Sequence, residues 1–400
     1  MTMQKKTSPA DNLFLSQRHG HEIDNNEFVR LAYAGELPSE IQVKAFSNTE
    51  HLFPTRRITR GPSTSDLLID QKDQSEPVQF HSNGRDYNIN DYITSNRVTG
   101  LLILKQSKIL LERYQYGTDE STRWMSMSMA KSISTTLVGI AIKQGYIKSV
   151  DDPLTDYLPE LVNSTYDKVT IKQLLQMTSG ARWNEDHTNP HSERREVLEL
   201  QIAQQPGAIL RYMATLPQVA EPGCVWNYST GETHVVGALL KAATGQYLAD
   251  YLSENLWSKL GMESDSHWWL ESPGGLEIAG SGITATLRDY GRFGLFMMND
   301  GVVDGERLLP EGWVKQATTP FKIGDTVVPY GYMWWAIADQ QGSFDDGAFS
   351  ARGIFGQRIY VNPKKRVVIV VWSARPKPMS TEQIIDNEFF SAAANFYSKR

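Results

Sequence analysis

A serine and a lysine three residues apart form the most reactive pattern in this sequence. Ser128 and Lys131 occur in Ser128-Met129-Ala130-Lys131, and no other lysine has a serine three residues before it. On a helix, residues i and i+3 share a face with Cβ atoms about 5–6 Å apart. A serine hydroxyl needs a neighbouring base to become a nucleophile, and a lysine can serve when burial lowers its pKa. The pair therefore predicts nucleophilic catalysis.

The segment after Lys131 favours a buried helix. Its apolar residues cover nearly every side of the helix: Ile133, Leu137, Val138, Ile140, Ala141 and Ile142. A helix that is apolar all round is buried, and Gly145 supplies a C-terminal stop. The alternative is a serine that caps the helix and a lysine that reaches solvent. The apolar surroundings favour a buried Lys131.

Composition limits the class of protein. The 400 residues are 40% hydrophobic, enough for one large domain or two smaller ones. The net charge of −6 argues against nucleic-acid binding. The single cysteine, Cys224, excludes an internal disulfide and suits a reducing compartment. No apolar run reaches the ~18 residues of a membrane span, and the first residues lack the apolar core of a signal peptide. We expect a cytoplasmic protein with no membrane contact.

The elements that position the pair divide the chain into three regions. Residues 1–85 are polar and contain scattered prolines, which predicts an extended arm that either wraps the body of the protein or contacts a second subunit in a homodimer. Residues 86–150 and 280–400 are expected to form an α/β domain with a hairpin near Ser107 and strands over 330–337, 354–361 and 366–372. Residues 151–279 read as mainly helical, except for a short aromatic strand before Tyr228. The active site is expected between the last two regions.

The order of motifs resembles the serine β-lactamase/penicillin-recognising superfamily, within it the class C-like esterases and the 6-aminohexanoate-dimer hydrolase group. The likeness covers roughly residues 90–400. The matching segments follow the family's order: Ser128-Met129-Ala130-Lys131 (S-x-x-K), Asp151-Asp152-Pro153, 174–180, Tyr228-Ser229-Thr230 (Y-x-N) and Leu260-Gly261-Met262. The resemblance implies a β-lactamase/transpeptidase-like α/β fold, with an antiparallel sheet flanked by helices and an all-helical region. It also implies an acyl-enzyme on Ser128 and proton transfer by Lys131 and Tyr228.

Which of Lys131 and Tyr228 acts as the base stays open, because a coupled pair titrates as a unit. The alternative for Tyr228 is a core aromatic with a satisfied hydroxyl. The resemblance further implies an oxyanion hole built from the backbone N–H groups of Ser128 and Ile354. Phe355 to Gln357 form the alternative register for the second donor.

The sequence departs from the family's pattern at three positions. There is no K-T-G triplet, so the usual cation for a β-lactam carboxylate is missing and antibiotic hydrolysis is disfavoured. Thr230 replaces the asparagine of Y-x-N. Phe355 stands where the 6-aminohexanoate-dimer hydrolase group has a histidine, which weakens the case for that amide substrate.

Five residues are candidates for substrate binding, although aromatic residues of this kind are often simply core: Trp183, His187, Gly353, Phe355 and Trp334. His187 and His191 have acidic neighbours, but their spacing fits no standard metal-ligand pattern. We therefore expect a solvated loop or a pocket wall there, and neither a metal nor a cofactor. His234 falls inside a predicted helix and is interpreted as structural.

These features predict a serine hydrolase (a carboxylesterase or an amidase) that cleaves an ester or amide of a small molecule. A transacylase would use the same acyl-enzyme. A penicillin-binding-like sensor would acylate without turnover, and an inactive interaction module would not acylate at all. The intact serine, lysine and tyrosine argue against the last alternative.

Overall fold

The computed structural model describes residues 24–69, 78–376 and 383–399. Helices and strands alternate along it. The helices are α1 (Asn25–Ala34), α2 (Ser39–Ser47), α3 (Ile89–Ser95), α4 (Met129–Lys143), α5 (Ile171–Leu175), α6 (Glu193–Ile202), α7 (Ala208–Thr215), α8 (Thr230–Thr244), α9 (Leu248–Leu252), α10 (Ser258–Leu260), α11 (Leu287–Met298), α12 (Trp313–Thr318) and α13 (Asp386–Ser398). A π-helical turn, Ser253–Trp257, joins α9 to α10.

The strands are short outside the central sheet. They are β1 (Thr55–Ile58), β2 (Leu68–Ile69), β3 (Gln79–Ser82), β4 (Arg85–Asn88), β5 (Val98–Lys105), β6 (Lys108–Tyr114), β7 (Trp124–Met125), β8 (Ser266–Trp269), β9 (Thr284–Ala285), β10 (Val302–Val303), β11 (Glu306–Arg307), β12 (Phe321–Ile323), β13 (Thr326–Val328), β14 (Trp335–Ala336), β15 (Phe349–Arg352), β16 (Arg358–Asn362) and β17 (Val367–Ser373).

The central sheet has seven strands in the order β14-β15-β16-β17-β5-β6-β2. All neighbours are antiparallel except β2 and β6, which are parallel. The predicted hairpin is confirmed: β5 and β6 pair through a turn that places Gln106 at φ 55°. The C-terminal strand β17 pairs with β5, so the two ends of the predicted α/β region meet in the middle of the sheet.

Helices cover both faces of this sheet. Side chains alternate along a strand, so Leu101 and Ile103 of β5 pack on the side of α3 and α13. Leu102 and Leu104 pack on the opposite side, in the core that contains α4 and α11. Because both faces are buried, β17 is a continuous apolar run, Val-Val-Ile-Val-Val-Trp. The predicted fold class, an antiparallel sheet flanked by helices, is confirmed.

Two expectations about the chain's ends need correction. Residues 24–69 do not form an extended arm: they hold α1 and α2, which bury Phe28, Tyr33 and Phe46 in the main core. The predictions for residues 1–23 and 70–77 lie outside the described residues. The strand predicted over 330–337 is reduced to β14, because Met333 adopts φ 57° and turns the chain. The strand predicted over 354–361 begins only at Arg358, and β15 before it was missed.

The region between α4 and β9 is mainly helical, as predicted, but the short aromatic strand before Tyr228 is absent there. Residues 221–229 instead form turns and irregular backbone that lead into α8. Along the described part of the chain, no helix combines the length and apolar character needed to cross a membrane.

Candidate active site

Ser128 lies at the N-cap position of α4, but its side chain does not cap the helix. Instead the Lys131 Nζ donates to Ser128 Oγ at 2.9 Å. Lys131 is only 1% exposed, and its amine also donates to the Gly280 carbonyl at 3.1 Å. The alternative of a capping serine with a solvated lysine is therefore wrong. The structure brings the two side chains into the contact that the i, i+3 spacing predicts.

The backbone around Ser128 is held from two sides. The preceding Met127 adopts φ 45°, a conformation that is uncommon for a residue other than glycine. Ser126 donates its N–H to the Ile283 carbonyl at 2.7 Å, beside the short pairing of β7 with β9. These contacts fix the turn that presents Ser128 at the start of the helix.

Burial lowers the pKa of Lys131 to about 7. Desolvation is the main cause, because it disfavours the charged amine. The Glu185 carboxylate opposes this shift, and the Arg194 guanidinium adds to it. A substantial fraction of Lys131 is thus neutral near pH 7, which gives the amine a free lone pair beside the serine hydroxyl.

Tyr228 joins this pair. Its ring centroid lies 5.2 Å from Lys131 Nζ, and its hydroxyl lies near enough to the Ser128 side chain to affect the pKa of the tyrosine. Burial raises the pKa of Tyr228 well above its usual value; the Glu185 charge adds to this, and the Ser128 hydrogen bond opposes it. The tyrosine therefore keeps its proton at neutral pH. The pKa values of Lys131 and Tyr228 therefore move in opposite directions.

Glu185 is a buried carboxylate that sequence reasoning missed at this site. Its Oε2 accepts from Trp183 Nε1 at 2.6 Å and from the Thr230 N–H at 2.9 Å. Its Oε1 accepts from Thr230 Oγ1, and His187 Nε2 lies 3.5 Å away. Burial opposes ionisation, but the His187 contact and the Lys131 and Arg194 charges hold the pKa of Glu185 below its usual range. This carboxylate ties the 183–187 loop to the start of α8, two residues after Tyr228.

Two backbone donors of the predicted oxyanion hole lack protein acceptors in the described part of the chain. Within the described residues, neither the Ser128 N–H nor the Ile354 N–H has a protein acceptor. In contrast, Phe355 donates its N–H to Gln357 Oε1 at 3.1 Å, and Gly356 donates to the Gly353 carbonyl at 3.2 Å. The engaged Phe355 and Gly356 donors argue against these two residues of the alternative register, whereas the Gln357 N–H, like that of Ile354, has no acceptor among the described residues.

Gly353 explains how this strand comes so close to the serine turn. A Cβ at Gly353 would lie 2.4 Å from Gln357 Oε1 and 2.9 Å from the Ser126 carbonyl oxygen. Such distances are too short for any real Cβ contact, so only glycine fits. The close approach places Ile354 near the segment that carries Ser128.

The predicted substrate-binding residues divide into two groups. Phe355 and Trp334 are both fully buried, Phe355 against Phe46 and Trp334 between Phe293 and Phe349. This burial argues against direct contact of either side chain with a ligand, and their substrate-binding roles stay predictions.

The other predicted residues lie near the site. Trp183 and His187 flank Glu185, although His187 is buried rather than part of a solvated loop. His191 is exposed, and His234 lies inside α8 with Nε2 3.5 Å from Glu271 Oε2, as its structural interpretation requires.

Trp335, next in sequence to the buried Trp334, supplies the aromatic wall. The Trp335 ring stacks on the Tyr228 ring with centroids 5.8 Å apart. The Arg352 guanidinium lies 4.9 Å from the centroid of the Trp335 ring. Trp226 adds an edge-on contact to Trp335 at 5.9 Å. Unlike Trp334, both Trp335 and Trp226 are partly exposed. The partly exposed side of the candidate site is therefore lined by aromatic rings, with the Arg352 guanidinium against one of them.

Comparison with known proteins agrees with this geometry. The family model described as Beta-lactamase matches residues 90–392. The chain belongs to the beta-lactamase family. It is 30% identical over 296 residues to the 6-aminohexanoate-dimer hydrolase of Paenarthrobacter ureafaciens, covering 69% of this chain and 72% of that protein.

Two further relatives extend the comparison. The acyltransferase calJ of Penicillium decumbens is 22% identical over 243 residues, covering 48% of this chain and 55% of that protein. Among solved structures, a candidate 6-aminohexanoate-dimer hydrolase from Bacillus anthracis superposes with a TM-score of 0.71 at 23% identity. That match covers 89% of this chain and 92% of the other, and at this identity it shows the shared fold.

Proposed function

We propose that this beta-lactamase-family hydrolase cleaves a carboxylic ester or amide of a small molecule through an acyl-enzyme on Ser128. The observation that carries the proposal is the 2.9 Å hydrogen bond between a buried lysine amine and the serine hydroxyl. A lysine whose pKa is about 7 can take the serine proton at neutral pH. Lys131 is thus the general base in this scheme.

The reaction then proceeds in two balanced steps. Ser128 Oγ forms a bond to the substrate carbonyl carbon while its proton moves to Lys131 Nζ, and the carbonyl oxygen becomes an oxyanion. In this proposal the oxyanion accepts hydrogen bonds from the Ser128 and Ile354 N–H groups, which lack protein acceptors among the described residues. When the bond to the leaving alcohol or amine breaks, that group takes a proton from Tyr228, which Lys131 replenishes. Water repeats the sequence on the acyl-enzyme and releases the acid.

The test pairs turnover with covalent labelling in wild type and Ser128→Ala. We expect wild type to hydrolyse short-chain p-nitrophenyl esters and to gain the mass of one fluorophosphonate adduct, and the variant to do neither. Ser132→Ala is the matched control, because this serine lies on the same helix but donates to the Met333 carbonyl at 2.7 Å. It should keep both activities.

Each other outcome has a definite meaning. Labelling without turnover would favour acyl transfer to an absent acceptor or a sensor that stalls, and added alcohols or amines would separate these two. Activity that survives in Ser128→Ala would refute the proposal.

A further inference from the structure

Arg194 is a buried cation without a partner of opposite charge. Its side chain is 5% exposed at the start of α6, and its Nε–H is buried without an acceptor. Within the described part of the chain, no carboxylate lies within ion-pair distance of its guanidinium. Burying an unpaired charge is costly, so its position here needs a reason beyond packing.

Arg194 reaches the reactive serine through two sets of contacts. Its backbone N–H donates to the Asn184 carbonyl at 3.2 Å, which places it against the loop that holds Glu185. Its guanidinium lies 4.9 Å over the ring of Tyr33, whose hydroxyl lies beside Ser281. Ser281 in turn contacts Met127, the residue before Ser128, and directly follows the carbonyl that holds Lys131.

The guanidinium of Arg194 keeps unused donor capacity. The Tyr33 hydroxyl lies within reach of Ser281 and of Arg194 itself, and His187 Nε2 lies 3.5 Å from Glu185 Oε1, so these neighbours are partly satisfied by one another. The Arg194 Nε–H remains buried without an acceptor among the described residues. A ligand with acceptor oxygens could use this donor.

We propose that Arg194 binds a carboxylate of the substrate, and thereby selects esters or amides that carry a carboxylate away from the scissile bond. This inference rests on the hydrolase activity proposed above and names its substrate class. Guanidinium and carboxylate match as a two-pronged, charge-assisted pair. A bound substrate carboxylate would supply the charge partner that the Arg194 guanidinium otherwise lacks. Substrates without a carboxylate would not gain this interaction, so Arg194 acts as a specificity determinant.

The test compares substrates that differ only in one charge. For the acyl side, the pair is the mono-p-nitrophenyl ester of adipic acid and its methyl ester; for the leaving side, it is 4-carboxyphenyl acetate and its methyl ester. We expect wild type to prefer the acid in one pair by about 10–100-fold in kcat/KM, as a charged hydrogen bond implies. The pair that shows the preference tells which end of the substrate Arg194 holds. Equal rates for acid and methyl ester in both pairs would overturn the proposal.

Variants assign the preference to Arg194. Arg194→Met should lose the preference for the acid. Because the Arg194 charge also lowers the pKa of Lys131, the rates are compared on the pH plateau above the Lys131 midpoint, where kcat/KM for the neutral methyl ester should change by no more than about threefold. Arg194→Lys should keep part of the preference for the acid, because lysine retains the positive charge but lacks the two-pronged donor geometry of the guanidinium. Arg211→Met, an exposed arginine on α7, is the control and should change neither rate. A parallel fall for acid and methyl ester in Arg194→Met would mean that Arg194 is structural.

A binding measurement separates this inference from the proposed function. Titration calorimetry with adipate should show binding to wild type, and about 10–100-fold weaker binding to Arg194→Met. If wild type binds adipate in this way but hydrolyses no ester, the hydrolase proposal fails and the carboxylate site stands. If wild type hydrolyses neutral esters but does not bind adipate, the carboxylate site fails alone.

Discussion

Two arginines are equally buried in this protein, and their surroundings differ completely. Arg292 on α11 is 4% exposed and Arg194 on α6 is 5% exposed. Arg292 donates to Asp289 at 3.1 Å, to Glu263 at 2.9 Å and to the backbone and side chain of Ser65. Arg194 has a ring beneath it and no carboxylate within ion-pair distance among the described residues.

This contrast distinguishes a structural cluster around Arg292 from the candidate active site around Ser128. Around Arg292 each buried charge is paired with an opposite charge. The resulting cluster connects α11 to the segment after α10 and to Ser65. In the region of Ser128 several donors have no acceptor among the described residues: the Arg194 Nε–H and the Ser128 and Ile354 N–H groups. Groups left open at a site are available for a ligand, whereas saturated groups only hold structure. Changes at the first cluster should therefore alter stability, and changes at the second should alter rate.

The largest rate effect is expected from Lys131→Met. Removing the base leaves Ser128 without a proton acceptor, so kcat/KM for p-nitrophenyl esters should fall by about 10³–10⁴-fold. The melting temperature should not fall, because the methionine removes an amine that is costly to bury. Lys143→Met, at the exposed end of the same helix, is the control and should keep wild-type rates. A Lys131→Met variant with near-normal activity would show that another group takes the serine proton.

The largest stability effect is expected from Arg292→Met. This change leaves the buried Asp289 carboxylate without its cation, while Glu263 keeps Arg288 at 3.8 Å. Breaking a buried pair in this way costs about 3–5 kcal/mol in the free energy of unfolding. Urea denaturation monitored by circular dichroism measures that loss, while kcat/KM of the folded fraction should stay unchanged. Arg307→Met breaks a half-exposed pair with Asp300 and should cost only about 0–1 kcal/mol. If Arg194→Met destabilised the protein as much as Arg292→Met, the distinction between the two clusters would be wrong.

The parts of the site that could be predicted are those that local rules or motif order determine. The contact between Ser128 and Lys131 follows from helical spacing, and the burial of Lys131 follows from the apolar helix. Tyr228 was placed by its position in the family's motif order, since no local rule brings residue 228 to residue 128. The same order indicated Ile354 as the second oxyanion donor, which stays a prediction; in the alternative register, the N–H of Phe355 is engaged by Gln357 Oε1.

Glu185 and Arg194 could not be singled out, because their importance depends on tertiary placement. Both lie in a polar loop region more than 50 residues from Ser128, where nothing local distinguishes a buried charge from a solvated one. The two neighbouring tryptophans show the same limit. Met333 turns the backbone at φ 57°, and after this turn Trp334 faces the core and Trp335 faces the site. The sequence does not show this turn, so it could not tell which of the two tryptophans is buried.

The N-terminal helices, in contrast, carried a readable signal. Phe28, Val29, Ala32 and Tyr33 repeat with helical spacing on one face of α1. Asp24 caps its start by accepting from the Glu27 N–H, and Gly35 ends it with φ 68°. The polar composition of residues 1–85 concealed this short amphipathic pattern, which led to the wrong expectation of an extended arm.

The pH dependence gives the smallest but most specific test of the open cluster. The pKa of Lys131 is lowered to about 7, so its neutral, proton-accepting form increases as the pH rises through that value. We expect kcat/KM for a neutral ester to rise about tenfold per pH unit below pH 7 and to level off above it. The Glu185 carboxylate raises the pKa of Lys131 against the larger effect of burial. Glu185→Gln should therefore move the midpoint to lower pH.

The direction of that movement distinguishes the two roles that Glu185 could have. If its charge acts on Lys131, the midpoint falls in Glu185→Gln, while the amide still accepts hydrogen bonds from Thr230 and Trp183 at one oxygen. If Glu185 only anchors the loop, the rate falls at every pH and the midpoint stays in place. Glu193→Gln is a suitable control, because this glutamate contacts Arg182 and the Asn184 N–H of the same loop. A midpoint that rises in Glu185→Gln would contradict the electrostatic role, because loss of a negative charge cannot stabilise the protonated amine.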